Sequence, residues 1–283
     1  MEAAETPRTG ADREWAPREF DAAPSSDLRT AVGGFDARAE DFDRTRPVCP
    51  AALFDDLLTV ANLAPGDRVL EIGCGSGQAT VPLAERGLAV TALEVGPRLA
   101  ALARQRLRRF PAVEVVTRAF EDWVPAGRPF AAVAAFNALH WVAPQLRYAG
   151  PAALLSPGGA LVIGGCRWAV PEDAEPFWRE VQADYQAVGY EGVPPPPPEA
   201  IGPLRFPAEA AVFFEEVTAR RYPFQVVYTA EEYLALLATQ SGTNLLGEAR
   251  RTELLARVGA RLRAWPRLTA SFVGFLTIGK RTG

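Results

Sequence analysis

The chain predicts an α/β fold, a mostly parallel sheet with helices on both faces. Three observations carry that expectation. Short apolar runs of strand length alternate with longer helical patterns from about residue 50 to 168. The first of those runs, VLEIGCGSGQAT at 69–80, breaks into Gly73, Gly75 and Gly77 and then opens a helix. A length of 283 residues suffices for one large α/β domain with a smaller lobe.

Taken in order, residues 1–34 are rich in Ala, Pro, Ser and charge without periodicity and read as a flexible arm. AALFDDLLTVANL then places Leu53, Leu57, Leu58 and Leu63 near one helical face, and APGD ends it. DRVLEIG reads as a buried strand, and SGQATVPLAERG as a helix closed by Gly87. LAVTALEV is the second strand. PRLAALARQRLRRF is a helix opened by Pro97, with Leu99, Leu102, Ala103 and Leu107 inward and its arginines on the solvated side. AVEVVTRAF, FAAVAAFNALHW and, after the SPGG turn, GALVIGGCRW supply three more strands. This alternation means parallel strands with crossover helices.

After Trp168 the texture changes. EPFWREVQADYQAVGY reads as a helix, and the five prolines at 194–198 as a stiff connector. YTAEEYLALLATQS and GEARRTELLARVGARLRAW are amphipathic helices, and LTASFVGFLTIGKR is a closing antiparallel-type strand. The expected organisation is an arm at 1–34, a ligand-binding core at 35–168, a helical lid at 169–245 inserted after the fifth strand, and a closing helix and strand at 246–283.

Composition narrows the function. Hydrophobic residues make up 48% and charged residues 23%, as in ordinary globular proteins. A net charge of -4 and the solvated arginines argue against nucleic acid as a partner. Three cysteines without a CxxC pair and a single histidine exclude a disulfide framework and a histidine-rich metal centre, so no metal is expected. The start lacks the apolar core of a secretory signal, and no run approaches a membrane span, so the expected compartment is the cytoplasm.

The glycine loop poses a sharper question. A strand ending in spaced glycines lets backbone approach a ligand, and the following helix start offers free N–H groups. Dinucleotide loops do the same with GxGxxG spacing. Here the spacing is GxGxG, and Glu71 lies inside the buried strand. A pyrophosphate would be repelled by a carboxylate beneath it, whereas a ligand with an ammonium and a positive centre is favoured by one. Glu71 therefore points to S-adenosylmethionine, and Glu94, at the end of the second strand, can accept both hydroxyls of its ribose.

VLEIGCGSGQ, VTALEV and FNALHWV resemble the class I S-adenosylmethionine-dependent methyltransferases, and within them the trans-aconitate methyltransferase-like, type 11 small-molecule branch. That resemblance implies a Rossmann-like, seven-stranded sheet with the last strand antiparallel. It implies cofactor contacts from Glu71, Gly73, Cys74, Gly75, Gly77, Gln78, Glu94, Val95 and Asn137. RAFEDW falls where the family has Gly-Asp-Ala-Glu facing adenine. Ala119 and Phe120 replace the Asp-Ala pair, leaving that contact to the Phe120 backbone, Glu121 or Asp122. FDRTRPVCP is similar to an aromatic–Arg-Pro segment of the same branch, with Phe42 toward the substrate. Arg46 there either reaches the cofactor carboxylate or leads into the helix.

His140 follows the fourth strand at the carboxyl edge of the sheet, where ligands bind in open α/β folds. It is the candidate catalytic base, with an ordinary pKa suited to a phenol or ammonium acceptor, and a packing role is the alternative. Trp141 and Trp168, ending adjacent strands, can wall a substrate pocket or pack sheet against lobe. The expected function is methyl transfer from S-adenosylmethionine, with S-adenosylhomocysteine as product, to oxygen or nitrogen of a small organic molecule. The alternative is a protein that binds the same cofactor without methylating, for a cyclisation or rearrangement or as a binding module. The expected partner is a small-molecule substrate, with neither nucleic acid nor membrane, and a homodimer is compatible with this reading.

Overall fold

The computed structural model describes residues 33–190 and 194–282, so the arm expected at 1–34 lies outside the described residues except for its last two. Seven strands form one sheet: β1 (Arg68–Ile72), β2 (Ala89–Glu94), β3 (Val113–Thr117), β4 (Phe130–Phe136), β5 (Leu155–Ala169), β6 (Phe214–Thr229) and β7 (Arg267–Arg281). Their order is β3-β2-β1-β4-β5-β7-β6. β1 to β5 pair in parallel, and β7 runs antiparallel to both β5 and β6. The order reverses beside β1, which puts the ligand crevice over the carboxyl ends of β1, β2 and β4.

On one face, α2 (Ala51–Ala61), α3 (Thr80–Glu85) and α4 (Pro97–Leu107) cover the sheet. Leu53, Phe54 and Leu57 of α2 and Leu107 of α4 pack there on Val69, Val90 and Val162. The other face meets α5 (Ala149–Leu154), the turns after β3 and β4, and the chain at 204–214, around Leu70, Val133 and Phe130. Glu71, flanked by Leu70 and Ile72, is the one charged residue of β1 that is buried.

A third cluster builds the lobe from α6 (Phe177–Glu180), α7 (Gln182–Ala187), α8 (Ala230–Ala238) and α10 (Glu248–Leu262), with α9 (Ser241–Leu245) between the last two. Thr229 caps α8 through a capping box with Glu232. A shorter helix, α1 (Ala39–Thr45), lies before the core. The lobe stands on an overhang: β5, β6 and β7 are 15, 16 and 15 residues long, against five to seven for β1 to β4. At about 3.3 Å per residue the long strands run for roughly 50 Å.

The structure corrects the expected lid in two respects. Residues 169–245 are not all helical, because β6 lies in their middle. EPFWREVQADYQAVGY forms not one helix but the short α6 and α7. Of the proline run, Pro197 sits at φ -64° and ψ 152°, in polyproline II range, and the segment is pinned, since Val170 N–H donates to Pro196 O at 3.0 Å.

Candidate functional site

At the end of β1 the chain turns through Gly73, Gly75 and Gly77, with φ of +69°, +58° and +94°. Those angles disfavour any side chain, and the space is closed as well. A Cβ on Gly73 would lie 2.6 Å from Ala138 Cβ, and one on Gly75 would lie 3.2 Å from Phe42 Cε1. Gly73, Cys74, Gly75 and Gln78 line a large cavity at the carboxyl edge of the sheet. Gly77, expected among the cofactor contacts, does not. Its N–H donates back to Cys74 O at 2.9 Å, and it lies beside Leu107 where the chain turns into α3.

Two buried carboxylates frame this loop. Glu94 accepts from Gly75 N–H through Oε2 and from Gly96 N–H through Oε1, both at 2.8 Å. It thus ties the glycine loop to the end of β2 while each oxygen keeps a second lone pair for a ligand. Burial raises its pKa, and the backbone donors oppose that rise. Glu71 is 1% exposed and lines the same cavity. Burial, reinforced by the charge of Glu94 and opposed by the Thr80 hydroxyl, pushes it up to about 7. Its Oε2 has no hydrogen-bond partner among the described residues. A buried acceptor of that kind fits a ligand ammonium, which is the donor that S-adenosylmethionine would bring.

The opposite rim comes from β3 and β4. Ala119, Phe120, Glu121 and Asp122 line the cavity, as does Val95, which is 44% exposed. Glu121 Oε1 accepts from Ala143 N–H at 2.8 Å, so it braces the loop after β4. Asn137 holds φ +50°, an uncommon conformation for a non-glycine residue, and its N–H donates to Gly164 O at 2.9 Å.

His140 follows in a 3-10 turn and also faces the cavity. Burial, with the nearby Arg147 charge, lowers its pKa to about 4. The ordinary pKa expected of it is thereby corrected: His140 is neutral at pH 7 and a weak base. Arg147, itself buried, donates to His140 O at 3.1 Å and to Val142 O at 3.2 Å. It was not singled out from the sequence, where one arginine among many carries no signal.

The segment ahead of α2 forms a strap between core and lobe. Asp36 Oδ1 accepts from Arg98 N–H at 2.8 Å and Leu99 N–H at 3.0 Å, capping α4 from 62 and 63 residues away. Arg98 donates to Ala37 O and pairs with Glu40, and Arg106 pairs with Asp43. Arg44 pairs with Glu231 of the lobe, and Tyr228 donates to Thr45 O. Arg46 Nη2 donates to Thr239 O at 2.6 Å, and its guanidinium lies 4.7 Å from the Phe42 ring centroid. Both residues line the cavity. Arg104 of α4 donates to Val115 O and Thr117, and Arg109, just beyond the helix, pairs with Glu85.

Beyond the loop the cavity, about 1320 Å³ in all, opens beneath the lobe. Trp141 stands there edge-on to Phe35 at 5.9 Å. Trp168 packs against Phe272 at 4.5 Å and against Trp178 and Tyr233 near 6 Å, so it joins sheet to lobe while also walling the cavity.

A parallel sheet of this order, with an antiparallel seventh strand and a glycine loop at the switch point, defines the fold of class I methyltransferases. The family described as "Methyltransferase domain" matches residues 69–159, from β1 into the SPGG turn. An uncharacterised methyltransferase of Mycobacterium tuberculosis is 27% identical over 230 residues, 81% of this chain and 86% of its own. A demethylmenaquinone methyltransferase of Tropheryma whipplei is 32% identical over 117 residues, 40% of this chain and 47% of its own. A solved structure from Anaeromyxobacter dehalogenans, described as a type II methyltransferase, superposes with a TM-score of 0.56 at 24% identity, covering 83% of this chain and 97% of that one. Residues 69–159 thus match a methyltransferase domain, for which S-adenosylmethionine is the cofactor, and the described residues have the Rossmann-like methyltransferase fold. No helix among the described residues is long and apolar enough to cross a membrane.

Proposed function

We propose that this protein transfers a methyl group from S-adenosylmethionine to oxygen or nitrogen of a small organic molecule. One observation carries the reading: a single cavity of about 1320 Å³ runs from the carboxylate-framed glycine loop to an aromatic-walled chamber. Pockets for one ligand occupy roughly 300–1,000 Å³, so there is room for cofactor and acceptor together.

In this reading the backbone of Gly73, Cys74 and Gly75 passes beneath the amino-acid end of the cofactor, Glu71 takes its ammonium, and Gln78 lies alongside. Arg46 and Asn137 complete that end. Glu94 accepts from the ribose, and Val95, Ala119, Phe120 and Glu121 border the adenine. Phe42, Trp141 and Trp168 hold the acceptor. Residues 35–168 then act as the cofactor unit, 169–245 as the specificity lid, and 246–283 as the closing unit.

The bound sulfonium supplies a methyl group that is already activated. The chain's task is therefore alignment, and holding two reactants in line supplies about 7–11 kcal/mol of the barrier. Aromatic faces add about 0.5–2 kcal/mol toward a positive centre. Calorimetry with S-adenosylhomocysteine, followed by mass spectrometry of candidate acceptors incubated with S-adenosylmethionine, tests the reading. A mass gain of one methyl supports it. Product formed without consumption of S-adenosylmethionine would instead support the non-methylating alternative.

A further inference from the structure

Two thiols meet at the wall of the cavity. Cys49, between the strap and α2, and Cys166, on β5, both line it, and their side chains are hydrogen-bonded to each other. The sheet register accounts for the meeting. Cys166 stands opposite Gly274 of β7, in phase with Val162 opposite Ile278, so it points to the face that α2 covers. There a Cβ on Gly274 would lie 3.7 Å from Leu53 of α2, a helix that begins just after Cys49. Both thiols are half-buried, within reach of a small solute in the cavity. The third cysteine, Cys74, is buried in the glycine loop, where its thiol donates to Gly75 O at 3.6 Å.

Cys49 also occupies the joint on which the strap would turn. Upstream of it, Phe35, Asp36, Phe42 and Arg46 line the glycine-loop end of the cavity, and Phe42 Cε1 lies 3.2 Å from the place of a Gly75 Cβ. Two of the ion pairs that hold the strap down, Arg98–Glu40 and Arg44–Glu231, are solvent-exposed. Exposed pairs of this kind hold weakly. A covalent bond at the joint would not yield in the same way.

We infer that Cys49 and Cys166 form a modification site, a dithiol that hydrogen peroxide closes to a disulfide, tying the strap to β5 and slowing exchange of the cofactor beneath it. The effect on exchange rests on the S-adenosylmethionine site proposed above. The contact with Cys166, and burial after it, push the Cys49 thiol up, so Cys49 keeps its proton and the opening attack falls to Cys166. The Cys166 sulfur, as its thiolate, attacks one peroxide oxygen, the O–O bond breaks, and hydroxide leaves with a sulfenic acid behind. The Cys49 sulfur then attacks that sulfur, the S–S bond forms, and water leaves. Two thiols and one peroxide thus give one disulfide and two waters, the sulfurs losing the two electrons that reduce the peroxide. A small dithiol reverses the change by exchange.

Full-length protein is treated with hydrogen peroxide in slight excess, then denatured, alkylated and mapped by mass spectrometry. Two of the three thiols should be lost and one Cys49–Cys166 peptide pair gained, with Cys74 still alkylated. Release of tritiated S-adenosylhomocysteine into an unlabelled chase should slow at least tenfold, and dithiothreitol should return it to the starting rate. Cys49→Ser and Cys166→Ser should each release ligand at the same rate before and after peroxide, while Cys74→Ser keeps the response. If one of the first two fails to fold, the other decides. Sulfinic acid without the peptide pair, a disulfide through Cys74 or between two chains, or a Cys49–Cys166 bond that leaves release unchanged would overturn the inference alone. Reduced protein that binds no S-adenosylhomocysteine would overturn the cofactor site, and the inference with it.

Discussion

At the scale of single residues, the buried carboxylates answer why an acid stands inside an apolar strand. Glu94 organises the loop before any ligand arrives, because its two oxygens already hold Gly75 and Gly96. Glu94→Ala is expected to weaken S-adenosylhomocysteine binding by about 1–3 kcal/mol, read by calorimetry, since buried donors and ligand hydroxyls lose their acceptor. The proposed role of Glu71 predicts binding that depends on pH. Its carboxyl is raised to about 7 in the folded chain, and in the proposed reading the ionised form is the one that pairs with the ligand ammonium. Affinity should therefore climb up to about tenfold from pH 6 to pH 8, and Glu71→Gln should flatten the curve. The same shift favours the fold below the ordinary carboxyl range, an advantage lost as pH rises through about 7. His140 runs the other way. Its folded pKa is lowered to about 4, so the unfolded chain binds more protons between about 4 and 6.5, and its burial costs stability as pH falls through that window. As the only histidine, it gives one unambiguous ring signal in an NMR titration. An inflection near 4 is expected, and one near 6.5 would contradict the burial described.

At the scale of elements, the strap is held to α4 by a cap that no local pattern reveals. Asp36→Ala removes the acceptor for Arg98 N–H and Leu99 N–H and should cost about 0.5–2 kcal/mol in denaturant unfolding. Faster limited proteolysis ahead of α2 should accompany it. β1 to β4 were legible as short runs bounded by turn residues, and β5 and β7 as longer apolar runs. The glycine loop was legible because its parts are adjacent in sequence. β6 was not. FEEVTARRYPFQVVYT alternates exposed charges with half-buried residues and contains Pro223, which a central strand would exclude and an edge strand tolerates. The cap by Asp36 and the bracing by Arg147 were illegible for a different reason: their partners are chosen by packing. Burial likewise sets the pKa of His140, and burial follows from the assembled fold.

At the scale of the whole molecule, lobe and core share strands. Phe272 of β7 is fully buried, and it touches Trp168 of β5 at 4.5 Å and Phe224 of β6 at 5.4 Å. Phe272→Ala should cost about 3–5 kcal/mol in chemical denaturation, with fluorescence and far-UV circular dichroism reporting one coincident transition. Two transitions would mean that the lobe melts independently.

The overhang of β5, β6 and β7 has a mechanical corollary. Because β5, β6 and β7 stay paired from the core into the lobe, moving the lobe side of the cavity relative to the glycine loop means bending three hydrogen-bonded strands. The width of the cavity is then tied to the stiffness of that ribbon. Passage for incoming molecules falls to the strap and the helices above, which rest on that ribbon without being woven into it.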